Sequence, residues 1–303
     1  MKHPKVLIIG GDSLLGKALA EHYATCGRPA LFTTRKKNNP REGSIFLDIL
    51  TPEDFVVPEG VSYAFLVAYA SKYHECENNP QAERLNIEAI PALAERLLHA
   101  GIFVNFISTN TLFGGEQAWP DEEAPHDPQI AYAQHKHETE LRLTAIAERL
   151  NCRGKLAITR FTKILTNNTS PLPQWIDAWR KGETVTPFSD LIFSPVSSRF
   201  GAGALERIAA SGHAGSFHVS GAANVSYADF ALELAARLGI SRSLVLPGSS
   251  KEAGVTLYFA PQFSGLGMQR TTALTGITPQ PLEAVLLELA SGPGADLRPG
   301  APL

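Results

Sequence analysis

The chain has 303 residues and a formal net charge of -3, long enough for one large domain or two intimate ones and without general attraction to nucleic acid or an anionic membrane. Its 44% hydrophobic and 19% charged content is that of an ordinary soluble globular protein. No uninterrupted apolar run approaches the ~20 residues of a transmembrane helix, and Val6–Ile9, behind the basic start, is too short for a signal-peptide core.

Val6–Ile9 ends in Gly10-Gly11, as a strand buried on both faces does. Ser13 to Thr25 then carries Leu14, Leu15, Ala18, Leu19 and Tyr23 at helical spacing, with Gly27 as a stop. Ala30–Thr33 and Ser44–Ile49 read as the second and third strands, and the uncharged Val61–Ala68 as a central fourth. The spacing predicts a long helix from Gln81 to His99, broken or kinked at Pro91. Ile102–Ile107, a helix from Gln129 to Leu150 and the strand Leu156–Phe161 continue the alternation. After Phe161 the rhythm degrades into a helical piece from Trp175 to Lys181, a helix from Tyr227 to Leu238, and short strands at Phe217–Val219 and Leu244–Leu246.

Strand and helix in this rhythm predict an α/β fold, a Rossmann-type doubly wound parallel sheet. The sheet domain is expected over residues 1–161 with a return segment near 190–222. A small, discontinuous C-terminal substrate lobe is expected over 162–189 and 223–290, too irregular for a core of its own, with 291–303 as a flexible tail. Cys26, Cys76 and Cys152 form no CxxC pair and no disulfide framework, and no histidine cluster has metal-ligand spacing. No metal site is expected, and the cytoplasm is the expected compartment.

Gly10-Gly11-Asp12-Ser13-Leu14-Leu15-Gly16 lies between the first strand and the first helix. A dinucleotide site needs a tight turn there, close backbone approach to the pyrophosphate, and phosphate at a helix N-terminus. Gly10, Asp12, Ser13, Leu14, Leu15 and Gly16 are therefore candidate cofactor residues. The stretch Thr33-Thr34-Arg35-Lys36-Lys37 lacks the acidic residue that would bind the ribose hydroxyls of NAD. Arg35, with Lys36 or Lys37 nearby, would instead pair with a 2′-phosphate, which favours NADP, with NAD as the alternative, and Thr34 beside it is a further cofactor candidate.

Tyr132 and Lys136 are four residues apart, on one helix face. A nearby ammonium favours phenolate, which suits Tyr132 to exchange a proton with a carbonyl or alcohol. Ser108-Thr109 stands at the end of the fifth strand, where ligands bind in parallel sheets.

These features resemble the extended short-chain dehydrogenases/reductases, and within them the dTDP-4-dehydrorhamnose reductase group, from about Lys5 to Leu289. The most specific stretch is Phe106 to Gly115, FISTNTLFGG, similar to that group's ISTDYVFDG. Trp119 to Pro128, Cys76 to Asn86-Ile87 and Ser194-Pro195-Val196 are similar too. The resemblance makes Thr109, Tyr132 and Lys136 the catalytic set. Tyr132 would protonate the keto oxygen, Lys136 would hold ribose hydroxyls and tune Tyr132, and Thr109 would hydrogen-bond the reacting oxygen. It places Asp48 and Ile49 at the adenine and Ala68, Tyr69, Ala70 and Ser108 along the cofactor.

Three departures stand out: Ser13 occupies the middle glycine of the family's turn, where its hydroxyl can donate to phosphate, Asn110 replaces an Asp, and Arg199 lies in a region where an acidic residue is common. Substrate candidates are Asn110, Thr111, Phe113 and Arg160, with Trp175, Trp179 and Arg180 equally well read as core and surface residues of an amphipathic helix. The implied activity is NADP-dependent reduction of a nucleotide-linked 4-keto sugar, with a homodimer as the implied assembly. A sugar-nucleotide epimerase with tightly held cofactor and a non-catalytic dinucleotide binder are the competing readings.

Overall fold

The computed structural model describes residues 5–28, 30–37 and 42–291, so the stretch expected as a tail lies outside it from residue 292 onward. The strands β1 (Lys5–Ile9), β2 (Leu31–Thr34), β3 (Ser44–Phe46), β4 (Val61–Leu66), β5 (Phe103–Thr109) and β6 (Leu156–Phe161) build the sheet. The chain then leaves through β7 (Lys163–Leu165), β8 (Ile192–Phe193) and β9 (Pro195–Ser197). It returns as β10 (Gly215–Val219), followed by β11 (Val225–Ser226). The seven-stranded sheet is parallel in every pairing and runs β3-β2-β1-β4-β5-β6-β10.

Helices α1 (Leu14–Thr25), α2 (Tyr73–Asn78), α3 (Pro80–Glu83), α4 (Ile90–His99) and α5 (Ala131–Arg149) connect the first six strands. Helices α6 (Leu172–Arg180), α7 (Ser198–Ser211), α8 (Tyr227–Arg237), α9 (Gln269–Thr275) and α10 (Leu282–Ser291) belong to the second half. None of the helices described is long and apolar enough to cross a membrane.

Side-chain alternation along the strands divides the core into two layers. Val6, Ile8, Tyr63, Phe65 and Ile107 face Leu15 and Leu19 of α1 and Ala202, Leu205 and Ile208 of α7. Leu7, Ile9, Ala64, Leu66, Val104 and Phe106 face Leu93 and Leu97 of α4 and Leu143 and Ala147 of α5. Helix α7, which strand-and-helix spacing did not single out, is what closes the first layer.

Three expectations are corrected. The third strand stops at Phe46 because the Asp48 carboxylate and carbonyl take the amides of Leu50 (3.0 Å) and Thr51 (3.2 Å) and turn the chain. Leu244–Leu246 is not a strand: Ser241 caps a 3-10 turn over Arg242–Leu244, and the isolated bridges Val185↔Val245 and Phe188↔Gly248 follow. The lobe also has a core of its own, in which Leu172, Trp175, Trp179, Phe193, Phe230 and Val285 are buried.

The expected irregularity at Pro91 is a π-helical turn over Arg84–Ala89 running into α4. Proline has no N–H to offer the carbonyl four residues back. That carbonyl, Ile87 O, accepts from Arg142 Nη1 of α5 at 2.8 Å instead.

Gly201 lets α7 approach the sheet, since a Cβ there would lie 3.1 Å from the Phe161 ring and 3.4 Å from Leu15. Gly201→Leu is expected to overpack this layer and cost about 1–3 kcal/mol, read as a lowered denaturant midpoint with unchanged slope.

Candidate active site

The chain runs outward from β1 to β3 and then crosses back to β4, which opens a crevice beyond the carboxyl ends of β1 and β4. Gly10 stands there with φ +98, and a Cβ on it would lie 2.6 Å from the Ala68 amide nitrogen. The amides of Val67 and Ala68 both donate to Ile9 O, at 3.0 and 2.9 Å. Only glycine combines that backbone angle with that approach.

Ser13 is the N-cap of α1: its hydroxyl donates to Gly10 O at 2.8 Å and accepts from Gly16 N at 3.0 Å. The proton expected to reach a phosphate is thus engaged within the turn. Gly16 has no room for a Cβ beside Gly10 O. Thr34 Oγ1 donates to Asp12 Oδ2 at 2.6 Å, fastening the end of β2 to the turn. The first turn of a helix leaves amides without intrahelical partners. Those of Leu14 and Leu15 are the ones Ser13 leaves available to an anion. Arg35 is exposed just past β2, and Asp48 is exposed past β3, while Ile49 is buried in the core.

Thr109 ends β5, while Tyr132 and Lys136 occupy the first turns of α5. Lys136 is buried. Its Nζ donates to Ile107 O at 2.6 Å and lies 3.4 Å from the Tyr69 ring centroid and 4.4 Å from that of Phe106. Burial holds its ammonium well below the usual lysine range, with Glu140 acting in the opposite direction. Tyr132 is half-buried and stands 6.0 Å from Tyr69 and 5.4 Å from Tyr73, ring to ring. Burial raises its phenol above the usual range, Tyr73 adds to this, and a hydrogen bond with Thr109 opposes it. The hydrogen-bond partner of the Lys136 ammonium is Ile107 O on β5.

Several residues to which sequence reasoning gave no role hold this arrangement. Asn86, wholly buried in the π-helical turn, accepts from Ala70 N at 3.0 Å and donates to Ala70 O at 3.1 Å. Its own carbonyl accepts from Thr139 Oγ1 of α5 at 2.9 Å. Glu77 Oε1 accepts from Ala131 N at 3.2 Å, placing a carboxylate at the N-terminus of α5 directly before Tyr132. Tyr69, expected along the cofactor, turns its hydroxyl to Thr139 Oγ1 at 3.2 Å and its ring to Lys136. Ser108 Oγ is buried with no hydrogen-bond partner among the described residues. That orphaned hydroxyl, the glycine-lined crevice and the open amides of α1 fit a dinucleotide.

A family model described as RmlD substrate binding domain matches residues 4–291. The chain belongs to this family. Among solved structures, dTDP-4-dehydrorhamnose reductase from Bacillus anthracis str. Ames, in complex with NADP, is similar at 20% identity and TM-score 0.80, covering 95% of this chain and 98% of that one. The Yersinia enterocolitica dTDP-4-dehydrorhamnose reductase is similar at 17% identity and TM-score 0.77, covering 94% and 99%. A double mutant of the dTDP-glucose 4,6-dehydratase from Streptomyces venezuelae, with NAD and DAU bound, is similar at 18% identity and TM-score 0.75, covering 94% and 95%. No curated protein matches the chain. The fold is that of the extended short-chain dehydrogenases/reductases.

Within this RmlD-type chain the substrate candidates separate. Asn110 Nδ2 donates to Ser264 O (2.8 Å) and Oγ (2.9 Å), and Thr111 donates its amide to Thr109 Oγ1 at 3.2 Å. Phe113, Trp175 and Trp179 are buried in hydrophobic clusters. Arg180 is partly exposed, its Nη1 3.4 Å from Asp177 Oδ1 on the same helix. Arg160, a substrate candidate from the sequence, is enclosed. Its Nη2 meets Glu140 Oε2 at 2.8 Å and its Nη1 donates to Glu122 O at 3.1 Å.

The same Arg160 Nη1 lies 3.3 Å from His218 Nε2, and His218 Nδ1 lies 2.8 Å from Gly267 O. These partners assign a neutral His218 with its proton on Nδ1. Arg160 thus welds α5, β6 and β10 together.

Burial and the Arg160 charge depress His218 to about 3, and burial with Arg160 depresses His126 to about 4. Both folded values lie below the ordinary histidine value, so the unfolded chain binds the extra protons and stability falls as pH drops through 6.5 toward 4. For His218 alone the loss at pH 5 is about 2 kcal/mol. Thermal unfolding at pH 7 and pH 5 is expected to show a midpoint several degrees lower at pH 5.

Proposed function

We propose that the chain is an NADPH-dependent reductase of a nucleotide-linked 4-keto sugar. The observation that carries this reading is the convergence of Thr109, Tyr132 and Lys136 beside the crevice that begins at Gly10 and Ala68. The open amides of Leu14 and Leu15 would take the pyrophosphate, Arg35 the 2′-phosphate, and Ser108 and Lys136 the nicotinamide end. NADPH, when bound, supplies the hydride.

The chain's own part is acid catalysis and alignment. Tyr132, a phenol protonated at neutral pH and held more firmly so by burial, gives its proton to the keto oxygen as that oxygen gains negative charge. The Thr109 hydroxyl accepts from Thr111 N at 3.2 Å and lies 3.1 Å from Thr111 Oγ1; with Thr111 Oγ1 as the donor, its own proton can serve Tyr132 or the reacting oxygen. Lys136 fixes α5 on β5 through Ile107 O, so the phenol reaches the substrate at a set height above the strand ends.

The intact set argues against a non-catalytic binder, which has no chemical use for all three groups. An epimerase would use the same residues without consuming external NADPH. Assembly as a homodimer belongs to the same proposal, as does a cytoplasmic setting, with which the free Cys26, Cys76 and Cys152 are consistent.

The test follows absorbance of NADPH in the presence of dTDP-4-keto-6-deoxyhexose. The wild-type chain is expected to oxidise NADPH stoichiometrically with product. Tyr132→Phe is expected to lower kcat by about 10²–10⁴ with the Kd for NADPH within about twofold. Conversion of the sugar with no net loss of NADPH would favour the epimerase, and an unchanged rate in Tyr132→Phe would remove Tyr132 from the chemistry.

A further inference from the structure

Residues 251–260 form a strap between two firm anchors. At one end Ser250 is fastened to Asp190 in the lobe: its amide donates to Oδ1 and Oδ2 at 2.9 and 3.0 Å, and its hydroxyl to Oδ2 at 2.7 Å. At the other end Pro261 packs over Gly115, and Phe263 N donates to Gly115 O at 2.8 Å. Ser264 follows, held by Asn110 at 2.8 and 2.9 Å and by Asn224 Oδ1 at 2.7 Å. Asn110 is the residue next to Thr109, so the second anchor stands at the catalytic edge itself.

Between the anchors the strap has little that fixes it. A turn at its start is closed by the amides of Ala253, Gly254 and Val255. Most of the strap is exposed and outside helix and strand. Backbone without such ties opens at low free-energy cost. Yet Tyr258, 51% exposed, lays its ring 6.0 Å from that of Tyr73 at an interplanar angle of 68°, edge to face. Tyr73 in turn lies 5.4 Å from Tyr132, ring to ring.

An exposed tyrosine on a weakly tied strap thus reaches across to the neighbour of the catalytic phenol. The lobe adds Tyr227, which stacks on Phe193 at 4.2 Å. Burial pushes the Tyr227 phenol up to about 12.

We infer that Tyr258 and Tyr73 form an aromatic clamp that receives the sugar ring of the substrate beside Tyr132, with the strap as its movable jaw. The inference rests on the reading of the substrate as a nucleotide-linked sugar. Tyrosine suits this place because its ring face packs on the C–H face of a pyranose while its hydroxyl reaches a sugar hydroxyl. The Tyr258–Tyr73 contact opens to admit the ring and closes on it, and the strap's loose backbone permits that motion. Neither tyrosine transfers a proton in this account. They are specificity residues, and their loss raises KM for the sugar while leaving cofactor binding intact.

The test is calorimetric titration of the full-length protein, loaded with NADP+, using dTDP-glucose and dTDP as separate probes. Tyr258→Ala is expected to weaken dTDP-glucose by about fivefold or more while dTDP stays within about twofold of wild type. Tyr258→Phe, which keeps the ring face and loses only the hydroxyl, is expected to bind more weakly than wild type but more tightly than Tyr258→Ala. Tyr258 is exposed, so neither change endangers the fold. Unaltered affinity of Tyr258→Ala for dTDP-glucose, or equal weakening of dTDP, overturns the clamp while leaving the proposed function standing. A wild-type protein that holds NADP+ and binds neither probe overturns the substrate class and the clamp with it.

Discussion

A lysine ammonium buried without a carboxylate within salt-bridge distance among the described residues is the constraint around which the site is built. Lys136 is removed from water between β5 and α5, and burial disfavours its charge. The Ile107 carbonyl at 2.6 Å and the faces of Tyr69 and Phe106 are what the structure offers in return. Each of these partners belongs to the sheet or to the loop after β4. The ammonium can be satisfied only if α5 sits at one height and one rotation on those strands. Thr139, one turn further along α5, repeats the constraint through Asn86 O and Tyr69. Tyr132, four residues before Lys136, is positioned as a consequence.

The same geometry joins the two halves of the cleft. Asn86 holds Ala70 by both its amide and its carbonyl, so the loop that starts at the Gly10–Ala68 approach cannot drift from α5. On the far side Arg160 ties α5 to β6 and β10 through Glu140 and His218, in a site only 4% exposed. Removing one partner from such a buried pair costs far more than a surface ion pair is worth. The grooves beside the C-terminal half of α5, lined by Thr144, Glu148 and Ser216, lie away from the Thr109–Tyr132 edge.

What could be read in the sequence was what local patterning carries. Val6–Ile9, the turn from Gly10 to Gly16 and the Tyr132–Lys136 spacing are short-range signals, and each stands where it was expected. Helix α7 was not legible, because its small residues Gly201, Ala202 and Ala204 make sense only against Phe161 and Leu15. Arg160 looked available because its partners Glu140, Glu122 and His218 are 20, 38 and 58 residues away. Ser13 looked like a phosphate donor because a sequence does not reveal that Gly10 O and Gly16 N already claim its hydroxyl. The lobe's core gathers residues from Leu165 to Leu289, a separation at which periodicity has nothing to say.

The account stands or falls on a dinucleotide at the end of β1, read by Arg35 as a phosphorylated one. The most direct measurement is a fluorescence titration of the purified protein with NADPH and, separately, NADH, following nicotinamide emission. The account predicts saturable binding of NADPH, with NADH weaker by about tenfold or more because Arg35 then lacks its phosphate. Binding of neither, or a preference for NADH, would contradict it.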